Sequence, residues 1–362
     1  MNIPEKILKN DEKSIFKLRE LYESYGYKKY KMKKFEEYEL YAQNKNFLLS
    51  DNIITFNDNG GRLMALKPDV TLSIVKNAKV KKDEITKAYY NENVYRMKDG
   101  EFKELSQLGV EYIGEIDLYS LYETVILAKN SLDIISKDNV LDISHMGIIL
   151  GIIDSYTINY SVKENLLKCL KTKNEYDIIN ICCANNLPAS LLEKLTSLIK
   201  LYGKSEEVLP KVRELARGTL AEDSVNELEE LYGLLKATNK ENKIRLDFSV
   251  INDLGYYNGL VFQGFIKDIP FAILSGGRYD KLVSKFDIAF GAIGFAIYMD
   301  LIELYRKSDN EFDVDVLIIY KNADVKTIID EVTEKRKDGK TVKAVIKGFE
   351  KNIHAKETIL FD

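Results

Sequence analysis

Few side chains in this sequence suit acid–base, nucleophilic or metal chemistry, and their spacing does not gather them. His145 and His354 are the only imidazoles, and nothing clusters with either as a metal site requires. His145 reads as a structural histidine. Cys169, Cys182 and Cys183 are odd in number, lack C-x-x-C spacing and fall in helical sequence. They indicate neither a disulfide framework nor a zinc site and read as buried spectator thiols. The polar residues that stand out do so by position. Asp69 follows Pro68 and opens an apolar helical run that includes Thr71, an N-cap placement. Arg96 follows Tyr95 in a strand-like run, where a surface salt bridge is the plain reading. Gln107 and Glu111 alternate with Gly109 on one strand face, which either lines a pocket or meets solvent. Tyr256 and Tyr257 point to opposite faces of a regular strand, which makes one of them core. Gly276, Gly277 and Arg278 read alone as turn geometry. No cofactor is called for by any of these groups.

The elements that must position them follow from periodicity. Residues from about Asp11 to Tyr25 carry Ile15, Leu18, Leu21, Tyr22 and Tyr25 on one helix face, and Gly26 ends that helix. Asn52 to Phe56 and Arg62 to Leu66 read as strands around an Asp58-Asn59-Gly60-Gly61 turn, and Val70 to Ala78 as a helix. Ala88 to Arg96 and Glu104 to Ile113 flank Lys98-Asp99-Gly100, a second hairpin signal. A helix over Asp117 to Ser131 and a strand over Val140 to Ile143 follow. From near Gly147 to about Thr238 the texture is helical, with Pro188 and Pro210 placed at helix entries. Strands resume at Ile244 to Val250, Tyr256 to Ile266 and Phe271 to Leu274. A glycine-rich turn and a helix over Phe295 to Lys307 come next, then a β-α-β run from Val314 to Ile346 and a short tail. Hairpins without βαβ alternation predict an α+β fold, an antiparallel sheet flanked by helices. The expected organisation is a core in two parts (1–147 and 241–311), a helical insertion (148–240) and a small C-terminal α/β unit (312–362).

Composition narrows the class of function. The 362 residues are 45% hydrophobic and 30% charged, enough for one large core with satellites. Met1 to Arg19 lacks the apolar stretch of a signal peptide, and no stretch is long and uncharged enough to span a bilayer, so a cytoplasmic protein without membrane association is expected. A net charge of −4 with mixed signs leans against nucleic acid as a partner.

Four separated segments resemble the signature regions of histidyl-tRNA synthetases. Leu66-Lys67-Pro68-Asp69-Val70-Thr71 resembles L-R-P-E-G-T. Val94-Tyr95-Arg96 followed by Gln107-Leu108-Gly109-Val110-Glu111-Tyr112-Ile113-Gly114 resembles the class II arginine motif and Q-x-G-x-E-x-x-G. Gly255-Tyr256-Tyr257-Asn258-Gly259-Leu260-Val261-Phe262 is similar to D-Y-Y-T-G-x-V-F. Gly276-Gly277-Arg278-Tyr279-Asp280 and then Gly294-Phe295-Ala296 are similar to G-G-R-Y-D and G-F-A. Each is weak alone; in order, over some three hundred residues, they are specific. The resemblance implies a class II synthetase-like core with a histidine pocket in which Asp69 and Thr71 hold the ammonium, while Arg96, Gln107, Glu111, Tyr256 and Tyr257 line the rest. That chemistry suits free histidine, whose ammonium needs a carboxylate and whose carboxylate needs amide or guanidinium donors.

The departures from the family pattern fall on the nucleotide side. Adenylation needs cations on the ATP phosphates, where charge builds in the transition state. Lys98 stands at an acidic position, Glu101 and Asn252 stand where arginines are expected, and Leu301 replaces the arginine that stacks on ATP. After Phe312 only about fifty residues remain, roughly half a usual small domain. One paralogous family combines these losses with a retained core: the regulatory subunits of short-form ATP phosphoribosyltransferase, which Leu141-Asp142-Ile143-Ser144-His145-Met146-Gly147 also resembles. That resemblance implies a non-catalytic subunit of the first step of histidine biosynthesis. It further implies the catalytic subunit as partner, L-histidine as effector, and a dimer of this chain within a hetero-octamer. Lys33 stands at the family's dimer-forming proline, yet a dimer paired across that edge is still expected. A histidine–tRNA ligase is the alternative, and a degenerate paralog reused for RNA binding a third.

Overall fold

A computed structural model describes residues 10–44, 53–78, 84–98, 100–251, 256–286, 288, 290–305 and 312–362. The chain divides into two units, Met1–Tyr305 and Arg306–Asp362.

The first unit opens with helix α1 (Asn10–Ser24), which buries Leu18 and Tyr22. Gly26, at φ 82°, turns the chain out of it. Strands β1 (Lys28–Lys29) and β2 (Phe35–Glu37), helix α2 (Tyr38–Ala42) and strands β3 (Thr55–Asn57) and β4 (Leu63–Leu66) follow. The last three strands form a small antiparallel sheet in the order β2-β4-β3. Helix α3 (Thr71–Asn77) then leads to the long hairpin of β5 (Thr86–Lys98) and β6 (Glu101–Gly114), paired from Thr86–Ile113 to Lys98–Glu101. Helix α4 (Leu118–Ile135) starts on a capping box in which Asp117 and Ser120 exchange side-chain-to-backbone bonds of 2.8 and 2.9 Å.

Strand β7 (Asn139–His145) and helix α5 (Met146–Asp154) precede a run of helices: α6 (Tyr160–Lys171), α7 (Glu175–Ala184), α8 (Ala189–Leu198), α9 (Ser205–Ala216) and α10 (Glu222–Ala237). The short strand β8 (Tyr202–Gly203) lies between α8 and α9. Strands β9 (Ile244–Asp247), β10 (Leu260–Ile266) and β11 (Leu274–Arg278), helix α11 (Asp280–Ser284), strand β12 (Gly291–Tyr298) and helix α12 (Met299–Tyr305) complete the unit.

Among the described residues, nine strands make one sheet in the order β1-β5-β6-β12-β11-β10-β7-β9-β8. It is antiparallel through its middle, as expected, with parallel pairs β1–β5 and β7–β9 toward the two ends. Helix α4 packs across β7, β10 and β12 with Leu121, Val125 and Leu132 fully buried. Each such side chain stabilises the unit by roughly 1.5–3 kcal/mol relative to exposure. Gly264 lets that helix approach, since a β-carbon there would lie 2.7 Å from Leu132 Cδ1. A second buried cluster, including Val70, Leu72, Tyr90, Tyr279 and Leu282, underlies the site described below.

The second unit contains β13 (Val314–Tyr320), α13 (Val325–Lys337), β14 (Val342–Ile346) and β15 (Ala355–Phe361) in a parallel sheet ordered β14-β13-β15. Its core is Val316, Ile318 and Ile328.

Several sequence expectations need correction. The glycine-rich stretch at Gly276 is strand β11, not a turn. A β-carbon on Gly276 would lie 2.4 Å from the Gly294 carbonyl oxygen, so crowding between strands explains the glycine. Phe295 belongs to β12, and the helix begins only at Met299. Tyr256 and Tyr257 precede β10 rather than lying in it. Pro210 is the sixth residue of α9, not its entry. An interior proline costs about 3 kcal/mol, and the buried face of Val208, Val212 and Ala216 offsets it. The expected tail is β15, and Cys183 is exposed while Cys169 and Cys182 are buried.

Candidate functional site

The long hairpin sets the floor of the site. Residues directly opposite in an antiparallel pair share a face, so Tyr90, Gly109, Glu111 and Gln107 face the same side as Gly294 and Tyr298 across β6 and β12. Gln107 and Glu111 are 4% and 2% exposed. Those values rule out a solvated strand face. Gly294 leaves space for the Glu111 carboxylate, since a β-carbon would lie 2.0 Å from Oε2.

The start of helix α3 and the residues just before it bring Thr71 and Asp69 to this floor. Thr71 Oγ1 donates to Glu111 Oε1 at 2.6 Å, and the Tyr279 hydroxyl donates to Oε2. Asp69 works in two directions. Its Oδ1 accepts the Leu72 amide at 2.9 Å, the capping bond expected from the sequence, while its Oδ2 lies 3.4 Å from Arg96 Nη2. Arg96 Nε donates to the Pro68 carbonyl at 2.6 Å, and this guanidinium is buried rather than in a surface salt bridge.

Tyr256 and Tyr257 do not diverge to opposite faces. Their ring centroids are 4.6 Å apart, and Tyr279 stands 5.5 and 6.5 Å from them. A β-carbon on Gly277 would lie 2.7 Å from the Tyr257 ring, so that glycine seats the ring on β11. The Tyr256 hydroxyl also reaches Thr71.

Burial pushes the Glu111 carboxyl up to about 8; the hydroxyls of Thr71 and Tyr279 oppose the rise and the Asp69 charge adds to it. Asp69 is also raised by burial, against the opposing pull of Arg96 and of the Leu72 and Thr71 amides. Tyr90, Tyr256, Tyr257 and Tyr279 are all held well above the ordinary phenol value, chiefly by burial. Near neutral pH the site therefore offers hydroxyl donors, a carboxyl group that holds a proton, and one carboxylate–guanidinium pair. This set suits a small zwitterion. It is poor in free positive charge: Arg96 is engaged with Pro68 and Asp69, and Lys67 pairs with Glu92.

Of the positions that depart from the synthetase pattern, Leu301 and Glu101 carry no cation for a phosphate. Leu301 packs against the main core, and Glu101 is exposed at the hairpin end, 3.9 Å from Lys103. Asn252 lies outside the described residues.

Sequence reasoning missed Tyr279 as a partner of Glu111, although the quoted G-G-R-Y-D motif contained it. Tyr90 carried no signal beyond strand alternation. His145 is only half satisfied: Nε2 lies 2.8 Å from Glu227 Oε1, while Nδ1 is buried with no hydrogen-bond partner among the described residues. Glu227 also meets Arg278 at 3.3 Å, and Arg278 Nε donates to Asp280 Oδ2 at 2.8 Å. Helix α10 is thereby tied to Arg278, the last residue of β11, next to Tyr279. Among the described residues, no group of three His, Cys, Asp or Glu side chains is placed to hold a metal ion.

A histidyl-tRNA synthetase family model matches residues 4–302, and the sheet and its flanking helices are those of a class II core of the histidyl type. The chain is 30% identical to an ATP phosphoribosyltransferase regulatory subunit of Caldanaerobacter subterraneus subsp. tengcongensis, over 90% of this chain and 87% of that one. A histidine–tRNA ligase of Methanocaldococcus jannaschii is 29% identical over 92% of this chain and 81% of its own. The crystal structure of an ATP phosphoribosyltransferase regulatory subunit/histidyl-tRNA synthetase from Bacillus halodurans matches with a TM-score of 0.76 at 23% identity, covering 100% of this chain and 96% of that one. The chain belongs to the family of ATP phosphoribosyltransferase regulatory subunits, built on the histidyl-tRNA synthetase fold.

Proposed function

We propose that this chain is a non-catalytic subunit of short-form ATP phosphoribosyltransferase, acting at the first step of histidine biosynthesis and sensing L-histidine in the site around Glu111. The catalytic subunit is its partner, a dimer of this chain within a hetero-octamer is its assembly, and the cytoplasm is its location. One observation carries the reading. The groups suited to an amino acid, Asp69, Arg96, Thr71 and Glu111, are buried together, whereas the position expected to stack on ATP is Leu301, half-buried against the main core. Histidine would act through different affinities for two states of the complex.

The likeness to a histidine–tRNA ligase keeps one alternative in play. Isothermal titration with L-histidine and, separately, with ATP and magnesium decides between them. Histidine binding without ATP binding is the expected result. ATP binding followed by histidine-dependent pyrophosphate exchange would restore the ligase.

A further inference from the structure

Tyr298 ends β12 beside a strip of small residues. On the face that carries Glu111 and Gln107, β12 presents Gly294, Ala296 and Tyr298 in turn, and β11 places Gly277 and Ser275 opposite the first two. Four of these five side chains rise no higher than a hydroxymethyl group, so the strip is a trough about one side chain deep. Glu111 occupies it above Gly294 and Tyr257 above Gly277. Tyr298 is the one large side chain of the five. It stands directly across from Gln107, its phenol hydrogen-bonded by Ser275 and within the fields of Arg96 and Asp69.

Resting on the reading that this site takes free histidine, the geometry fixes which end of the ligand Tyr298 meets. The ring belongs with Glu111 and the tyrosines, and the ammonium with Asp69. The carboxylate belongs with Gln107 and with the outer edge of the Arg96 guanidinium, which also pairs with Asp69. Tyr298 is the direct cross-strand neighbour of Gln107, and its phenol feels the Arg96 charge. We propose that Tyr298 is a specificity-determining residue that walls the site at the carboxylate end, so that it accepts a free amino acid and rejects one extended through its carboxyl group. The wall is the ring; the Ser275 bond only holds it in place. Such a wall shuts out a derivative that extends beyond a simple amide on shape alone, whatever charges surround it.

Calorimetry of the intact protein with L-histidine, L-histidinamide and L-histidine benzylamide tests this. The wild type should bind histidine, lose a modest factor for the amide, which has given up the carboxylate charge, and lose at least about a hundredfold more for the benzylamide. Tyr298→Ala should bring the benzylamide to within about tenfold of the amide, while Tyr298→Phe should keep the rejection. Thermal melts establish that each variant is folded, and the wild-type series stands without them. Equal wild-type affinity for the amide and the benzylamide would overturn the proposal, as would a folded Tyr298→Ala protein that discriminates like the wild type. A wild type that binds none of the three overturns the histidine reading itself and takes the wall with it, an outcome distinct from the other two.

Discussion

Glu111 is a carboxyl group on a sheet floor, covered by Thr71 and Tyr279, with a pKa pushed up by burial to about 8 from an ordinary 4.5. Between those values the folded chain keeps a proton that the unfolded chain has released. Stability must therefore fall as pH rises through that window and level off above it. Glu111→Gln removes the titration while retaining an oxygen to accept from Thr71. Urea unfolding across pH 5 to 9 should show wild-type stability declining relative to the variant, by on the order of a few kcal/mol in total. A constant difference would mean that Glu111 is ionised throughout. The sequence could identify this residue but not its state, because the state depends on Asp69 and Tyr279, 42 and 168 positions away.

Elements were legible where local periodicity decides them. Asp117 to Ser131 was expected as a helix, and Leu118–Ile135 forms, extended because Leu132 and Ile135 continue the buried stripe. Strand β11 was illegible because glycines that sheet crowding requires look, in sequence, like a turn. The same crowding operates between helices. A β-carbon on Gly151 of α5 would lie 2.6 Å from the Ala221 backbone nitrogen, next to the start of α10, whereas one on Gly233 within α10 meets nothing within 4 Å. Gly151→Ala should therefore destabilise the protein by about 1–3 kcal/mol, and Gly233→Ala should stabilise it by up to about 1 kcal/mol. Denaturant midpoints of the two variants check both signs in one experiment.

At the scale of the whole molecule, every side chain of the candidate site belongs to the unit Met1–Tyr305, although together they span positions 69 to 298. A chain ending at Tyr305 should keep its histidine affinity within about tenfold of the full chain's, measured by the same titration, since no group facing the ligand is removed. A larger loss would show that residues 306–362 contribute to the site. The dispersal also explains what the sequence could not convey. Asp69, Thr71, Arg96, Gln107 and Glu111 were each identified by motif, but the rings of Tyr256, Tyr257 and Tyr279 meet across 22 positions of sequence, and Tyr90 and Tyr298 are brought to the same sheet face by strand pairing rather than local pattern.

That ring cluster gives the protein its own optical reporter. The chain has 23 tyrosines and no tryptophan, so its ultraviolet emission is phenolic throughout, with no indole to collect and mask it. A phenol's emission depends on its hydrogen-bond partner, and Tyr279 donates to Glu111. A ligand that engages Glu111 in place of Tyr279 would change that phenol's surroundings, so occupancy can be sought by light in unlabelled protein.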